Sequence, residues 1–160
     1  MPAKEEGMTI SVRMTPVKAL ADDKFKSLFD LYAAESGIES FGNWAVAWQN
    51  YEAMENAGCL VVYVAYDDDT PVGIIGCLVT LHLHYCVPML STDGFFVLPE
   101  YRDKGVGGRL LASAYRLAKA KRIEHVEISC PPGGHLDRSL SVKPYFTLVS
   151  KIYERSFKWG

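Results

Sequence analysis

Residues 97–110 read Val-Leu-Pro-Glu-Tyr-Arg-Asp-Lys-Gly-Val-Gly-Gly-Arg-Leu, and the fold turns on how they are read. A strand ends here, a loop carries Arg102, and the segment from Gly105 opens a helix. Gly105, Gly107 and Gly108 let the backbone approach a ligand closely, because no Cβ stands in the way. The first turn of a helix offers unpaired N–H groups and the positive end of the macrodipole, so it holds an anion well. A pyrophosphate suits that geometry. The stretch is not a P-loop, which would end in Gly-Lys-Ser/Thr, nor a GxGxxG dinucleotide turn. Taken alone, Arg-x-x-Gly-x-Gly is also compatible with a strand–helix turn that binds nothing.

Working outward, Ser91 to Leu98 reads as the strand that enters the loop. Gly105 to Arg122 reads as the helix that leaves it, with Leu110, Ala114, Leu117 and Ala118 on one side. His125 to Cys130 alternates as a buried strand, so residues 91–130 form a strand–helix–strand unit with parallel strands. Upstream, Thr9 to Met14 predicts a first strand. Phe25, Leu28, Phe29 and Tyr32 recur at helical spacing up to Gly37. Asn43 caps a second predicted helix through Trp44, Ala47, Trp48 and Tyr51, which Gly58 ends. Cys59 to Tyr66 and Val72 to Tyr85 predict an antiparallel meander, and Pro88 breaks the run before Ser91. Pro131 to Gly134 is a break, and Phe146 to Phe157 predicts a final strand. The class is α/β (α+β): a mixed antiparallel and parallel twisted sheet of about six to seven strands flanked by helices, in one domain over 1–160.

The chain has 160 residues, 49% hydrophobic and 22% charged, the balance of an ordinary globular domain. Its formal charge of −2 argues against a protein built to grip nucleic acid backbones. Thr70 to Thr92 carries no Asp, Glu, Lys or Arg, but its prolines, glycines and β-formers favour a buried hairpin over a membrane span. Cys59, Cys77, Cys86 and Cys130 match neither a zinc knuckle nor a disulfide scaffold. Met1 to Met8 is short and polar, unlike a secretory signal. A cytoplasmic protein with no metal, membrane or nucleic acid partner is the expectation.

The segment Arg102-Asp103-Lys104-Gly105-Val106-Gly107, with Val97-Leu98-Pro99-Glu100-Tyr101 before it, resembles motif A of the GNAT superfamily of N-acetyltransferases. The element order resembles theirs over nearly the whole chain. The resemblance implies acetyl-CoA, or another acyl-CoA, as donor. It implies a pyrophosphate held by backbone amides across 102–107, with Gly108 and Arg109 completing the helix start. It further implies a splayed pair of parallel strands, with pantetheine bonding main-chain atoms of Phe96, Val97 and Leu98. Homodimers are common among such proteins.

Acyl transfer to an amine needs a base for the ammonium proton, a donor for the oxyanion and an acid for the leaving thiolate. Asp93 is the candidate base, since several family members carry a carboxylate there and strand parity gives it the face of Phe95 and Val97. His82 and His84, two apart on the preceding strand, are alternative bases that a hairpin could bring opposite Asp93; solvent-facing alternation is the competing reading. No third ligand is spaced to make them a metal pair. Tyr145 is the candidate acid, although the phrase that carries the family's tyrosine is replaced here by Pro-Pro-Gly-Gly-His-Leu-Asp-Arg-Ser-Leu-Ser-Val-Lys-Pro-Tyr-Phe. Cys130 reads as core.

Charge is segregated along the chain. Arg102, Lys104, Arg109, Arg116, Lys119, Lys121 and Arg122 surround the phosphate loop and suit the phosphates of coenzyme A. Ten acids fall between Asp22 and Asp69, against Lys24 and Lys26. They predict an acidic wall that draws a cationic amine, or else ordinary solvated helix faces. The expected activity is direct N-acetyl transfer to a primary amine. The alternative is a non-catalytic acetyl-CoA-binding module on the same fold.

Overall fold

The charge-free run at 70–92 builds the middle of the sheet. In the computed structural model, which describes residues 9–157, β3 (Thr70–His82) and β4 (Val87–Val97) form a long antiparallel hairpin. Val72, Ile74, Ile75 and Cys77 are buried at its base, so a segment without charges reflects a strand covered on both faces. Its tip, residues 83–86, is exposed. Met1–Met8, read above as unlike a signal, lie outside the described residues. No helix among the described residues is long and apolar enough to cross a membrane.

Five strands form one sheet in the order β1-β2-β3-β4-β5. β1 (Ile10–Met14), β2 (Leu60–Asp67), β3 and β4 are antiparallel neighbours, and β5 (His125–Glu127) joins β4 in parallel. Between β4 and β5 runs α3 (Val106–Ala120), which buries Val106, Leu110, Ala114 and Ala118. These positions lie four residues apart, the spacing of one helical face. α1 (Lys26–Ser36) buries Leu28. α2 (Trp48–Asn56) packs through Trp48 on Phe29 of α1, with ring centroids 5.6 Å apart.

Three local expectations are corrected. α2 starts at Trp48 rather than Asn43, and no side chain caps it. The reason is tertiary: Trp44 packs edge-on to Tyr32 at 5.2 Å, which holds residues 43–47 outside the helix. Pro88 does not break β4 but sits within it, beyond Met89 where the pairing with β5 begins. Its missing N–H therefore costs no bond on that side. The segment 146–157 pairs with nothing as a strand, so the sheet has five strands rather than six or seven. β5 is only three residues long, so the edge it presents is short. The irregular stretch after residue 130 contains a short helix, α4 (His135–Ser141).

Candidate functional site

The site begins where two parallel strands part. β5 pairs with β4 only at Met89, Leu90 and Ser91. Beyond that point Ser129 N–H donates to Thr92 Oγ1 at 3.0 Å, and Asp93 to Val97 lose their neighbour. A cleft of about 1120 Å³ opens along this bare edge. β4 forms its floor, Tyr32 and Glu35 of α1 one wall, and Gly107, Gly108 and Tyr115 of α3 another. Leu98 N–H donates to Val72 O at 2.9 Å. Main-chain groups alternate sides along an antiparallel strand, so Phe96 and Leu98 are spent on β3 while Val97 faces the open edge.

The glycine-rich loop forms the far end. Residues Pro99–Lys104 make a 3-10 turn, and Gly105 takes the left-handed conformation (φ 75°, ψ 7°) that starts α3. A side chain there would be strained. Arg109 N–H donates to Gly105 O at 3.1 Å, so the amides before it have no helical acceptor and no side chain caps them. A Cβ on Gly107 would come no closer than 3.6 Å to Phe95, and one on Gly108 would meet nothing within 4 Å. Packing does not demand those two glycines; their missing side chains keep the cleft wall open. That is a fit for a bulky anion laid against a helix start.

The basic side chains of the loop do other work. Arg102 donates through Nε to Val97 O at 3.0 Å and through Nη2 to Glu35, with its guanidinium 5.4 Å from the Phe96 ring. It ties α1, β4 and the loop together. Arg109, expected at the donor, instead donates Nη1 to Ile10 O of β1 at 2.7 Å, and its own amide is spent on Gly105. Lys104 lies over the Tyr101 ring at 5.0 Å, and Asp103 is exposed.

Asp93 lies on the cleft floor, on a different face from the one parity predicts. The β3–β4 register shifts between Gly76 and Cys77: Gly76 faces Gly94, Cys77 faces Thr92, and Asp93 is the extra residue. A bulge inverts the alternation beyond it. Phe95 and Val97 lie under Gly107 of α3, whereas Asp93 Oδ2 accepts the hydroxyl proton of Tyr51 on α2. Tyr32 of α1 flanks it too. Burial first, then the Asp93 charge, raises the Tyr32 hydroxyl above its ordinary pKa, and a backbone bond from Phe95 works the other way. Tyr51 is raised strongly by burial and by its bond to Asp93. Neither tyrosine stood out in the sequence, since both fall on helix faces that read as core. The available signal was the polar hydroxyl on each apolar stripe.

Tyr145 joins Asp93 in the cleft, 71% exposed on the wall. Burial, and secondarily Tyr145, raises the Tyr115 hydroxyl nearby. Cys130 also lines the cleft, with its thiol raised by burial. His82 and His84 are not brought to Asp93. His82 pairs with Val87, five residues up β3 from Cys77, roughly 17 Å at strand rise. His84 lies beyond the strand in the exposed tip.

Nor do the ten acids form a wall. Only Glu35 among them lines the cleft, and Arg102 neutralises it. Asp30 pairs with Lys26 and Asp69 with Arg13. Glu55 accepts from Val17 N–H at 3.0 Å, and Asp67 from the Tyr101 hydroxyl at 2.9 Å. The segregation seen in the sequence is spent largely on local structure.

Compared with known proteins, residues 25–135 match the sequence model of the Acetyltransferase (GNAT) family. No curated protein matches the chain in sequence. Among solved structures, the chain resembles an aminoglycoside acetyltransferase from an uncultured soil metagenomic sample, solved with trehalose. They share 18% identity and a TM-score of 0.72, over 93% of this chain and 97% of that one. The aminoglycoside N-acetyltransferase AAC(6')-Iy in complex with CoA gives 18% identity and 0.72, over 95% and 97%. A ribosomal-protein-alanine N-acetyltransferase from Brucella melitensis biovar Abortus 2308 gives 15% and 0.70, over 93% and 99%. At these identities the likeness is one of fold.

Proposed function

The chain belongs to the acetyltransferase (GNAT) family, and from that premise we propose that it transfers an acetyl group directly from acetyl-CoA to a primary amine. One observation carries the reading: a single cleft joins an uncapped, glycine-opened helix start to a carboxylate, along a strand edge left bare between them. The amides opening α3 would take the pyrophosphate, as the fold's CoA-bound likeness supports. The bare edge of β4 would receive the pantetheine arm at the Val97 N–H, since Arg102 already holds the Val97 carbonyl. A cytoplasmic site of action suits this donor.

In the transfer, Asp93 takes one proton from the ammonium, directly or through water, and passes it to solvent. The freed amine nitrogen attacks the thioester carbonyl, the N–C bond forms, and the C–S bond breaks. The second amine proton ends on the coenzyme A sulfur, for which Tyr145 is the donor within the cleft. An amide, coenzyme A and one proton leave.

The test measures thiol release with an amine panel, then repeats it on Asp93→Asn. Losing a general base costs about 10²–10⁴-fold in rate. The variant should lose kcat to that extent, keep acetyl-CoA affinity within a few-fold, and recover partly at high pH where free amine is abundant. More than half of wild-type kcat at pH 7 would move the base elsewhere. Acetyl-CoA binding with no thiol release for any amine would make the protein the non-catalytic module.

A further inference from the structure

We infer that the acceptor is an amine of single charge carried on an apolar, preferably aromatic, body, rather than a polycationic sugar; this rests on the acetyl-transfer reading above. The argument starts from charge. Three carboxylates line the cleft, Glu35, Asp93 and Glu154, and so do Arg102 and Lys143. Glu35 is held by Arg102. Among the described residues no ion pair of Asp93 with a basic side chain is formed. The floor therefore presents one carboxylate ready for one ammonium. A polycation would bring further charges against walls that carry Lys143 and the Arg102–Glu35 pair, where Glu154 is the one further carboxylate.

The surroundings of that carboxylate are aromatic. Tyr51 bonds Asp93, and the Tyr32 ring beside it lies between Phe96, stacked at 5.1 Å, and Trp44 at 5.2 Å. An ammonium arriving at Asp93 meets π-faces, which attract cations. Farther out, the walls expose Ile38 at 49%, Phe41 at 75% and Tyr145 at 71%. Exposed apolar groups gathered in a cleft favour an apolar occupant, and the Asp93 carboxylate on the floor fixes the end that is charged. Hydroxyl-rich ligands would lose water there without recovering their hydrogen bonds.

The experiment compares kcat/KM for methylamine, phenethylamine and kanamycin at low and high ionic strength, read as thiol release. Burying a phenyl-sized body is worth about 1.5–3 kcal/mol, or roughly 10–150-fold, so phenethylamine should exceed methylamine by that factor. It should also exceed kanamycin at both ionic strengths, with a salt effect under about threefold, as expected for one ion pair. The ratio of phenethylamine to methylamine should fall several-fold in Phe41→Ser, whose exposed side chain can change without unfolding the chain. Kanamycin preferred, or the two monoamines equal, or an unchanged ratio in Phe41→Ser, overturns the inference while leaving acetyl transfer intact. Acetyl-CoA that binds but yields no thiol with any amine overturns the acetyl-transfer reading, and this inference with it.

Discussion

Gly94→Ala tests how tightly Tyr32 of α1 is seated against β4 beside Asp93. Gly94 does not occupy the left-handed region, so its backbone accepts alanine. The obstacle is steric: the new Cβ would stand 2.8 Å from Tyr32 Oη and 3.3 Å from its Cε1. The ring cannot swing clear, because Phe96 and Trp44 flank it. Overpacking of this kind costs about 1–3 kcal/mol. Alanine returns about 0.4–1 kcal/mol by restricting the unfolded chain. The net loss is roughly 0–2.6 kcal/mol, or up to about 10 °C in Tm for a chain of this length. Tyr32→Phe removes the nearest atom, so the double variant should be at least 0.5 kcal/mol or so more stable than the two single losses predict. Urea denaturation of all four proteins reads that coupling. Strict additivity, or a Gly94→Ala variant more stable than wild type, would refute the packing described for Tyr32.

Gly107→Glu places an anion where the donor's pyrophosphate is proposed to lie, in a position whose Cβ meets only ordinary contacts. The protein should fold, and the rise in Tm that coenzyme A gives the wild type by linkage should vanish; a preserved shift would remove the loop from the site. Alkaline pH should also destabilise the chain. Burial pushes the Cys77 thiol up to about 12 from 9.0, so between those values the unfolded chain releases a proton that the native one keeps. Native protein then binds more protons, and stability falls as pH rises, by at most about 1.4 kcal/mol per pH unit. Tyr32 and Tyr51, raised by burial and Asp93, extend the loss above pH 10. Denaturation midpoints at pH 8 and 10.5 should differ, and differ less in Cys77→Val; a flat profile in wild type would contradict the buried thiol.

The glycine loop was legible because its demands are local. A left-handed Gly105 and an uncapped helix start depend on neighbours in sequence, and the element order around them follows from short-range patterns. What the sequence hid is tertiary. Trp44 satisfies helical spacing with Trp48 and Tyr51, yet Tyr32 captures it and α2 starts four residues later. The residues at 146–157 have strand-forming content, yet pairing needs an edge, and β5 ends after three residues. Arg109 belongs to the basic cluster in sequence, but a carbonyl on β1 claims its guanidinium.

Asp93 shows most clearly how one extra residue in a strand changes where a side chain lies. Parity counted from Val97 puts it under α3, on the face where Gly107 packs on Phe95. One extra residue in β4 reverses that count and turns the carboxylate toward α1 and α2. No feature of the β4 sequence announces the bulge; it follows from how Gly76 and Cys77 pair across the strand. The consequence is chemical as well as geometric. Under α3 the carboxylate would share its face with the glycine-opened donor wall. Turned over, it faces Tyr51 and the ring of Tyr32, so the carboxylate and the glycine-rich loop flank the bare strand edge from opposite faces of β4. The proposed transfer uses that arrangement: the amine would come from the Asp93 face and the thioester from the loop face, with the edge of β4 between them.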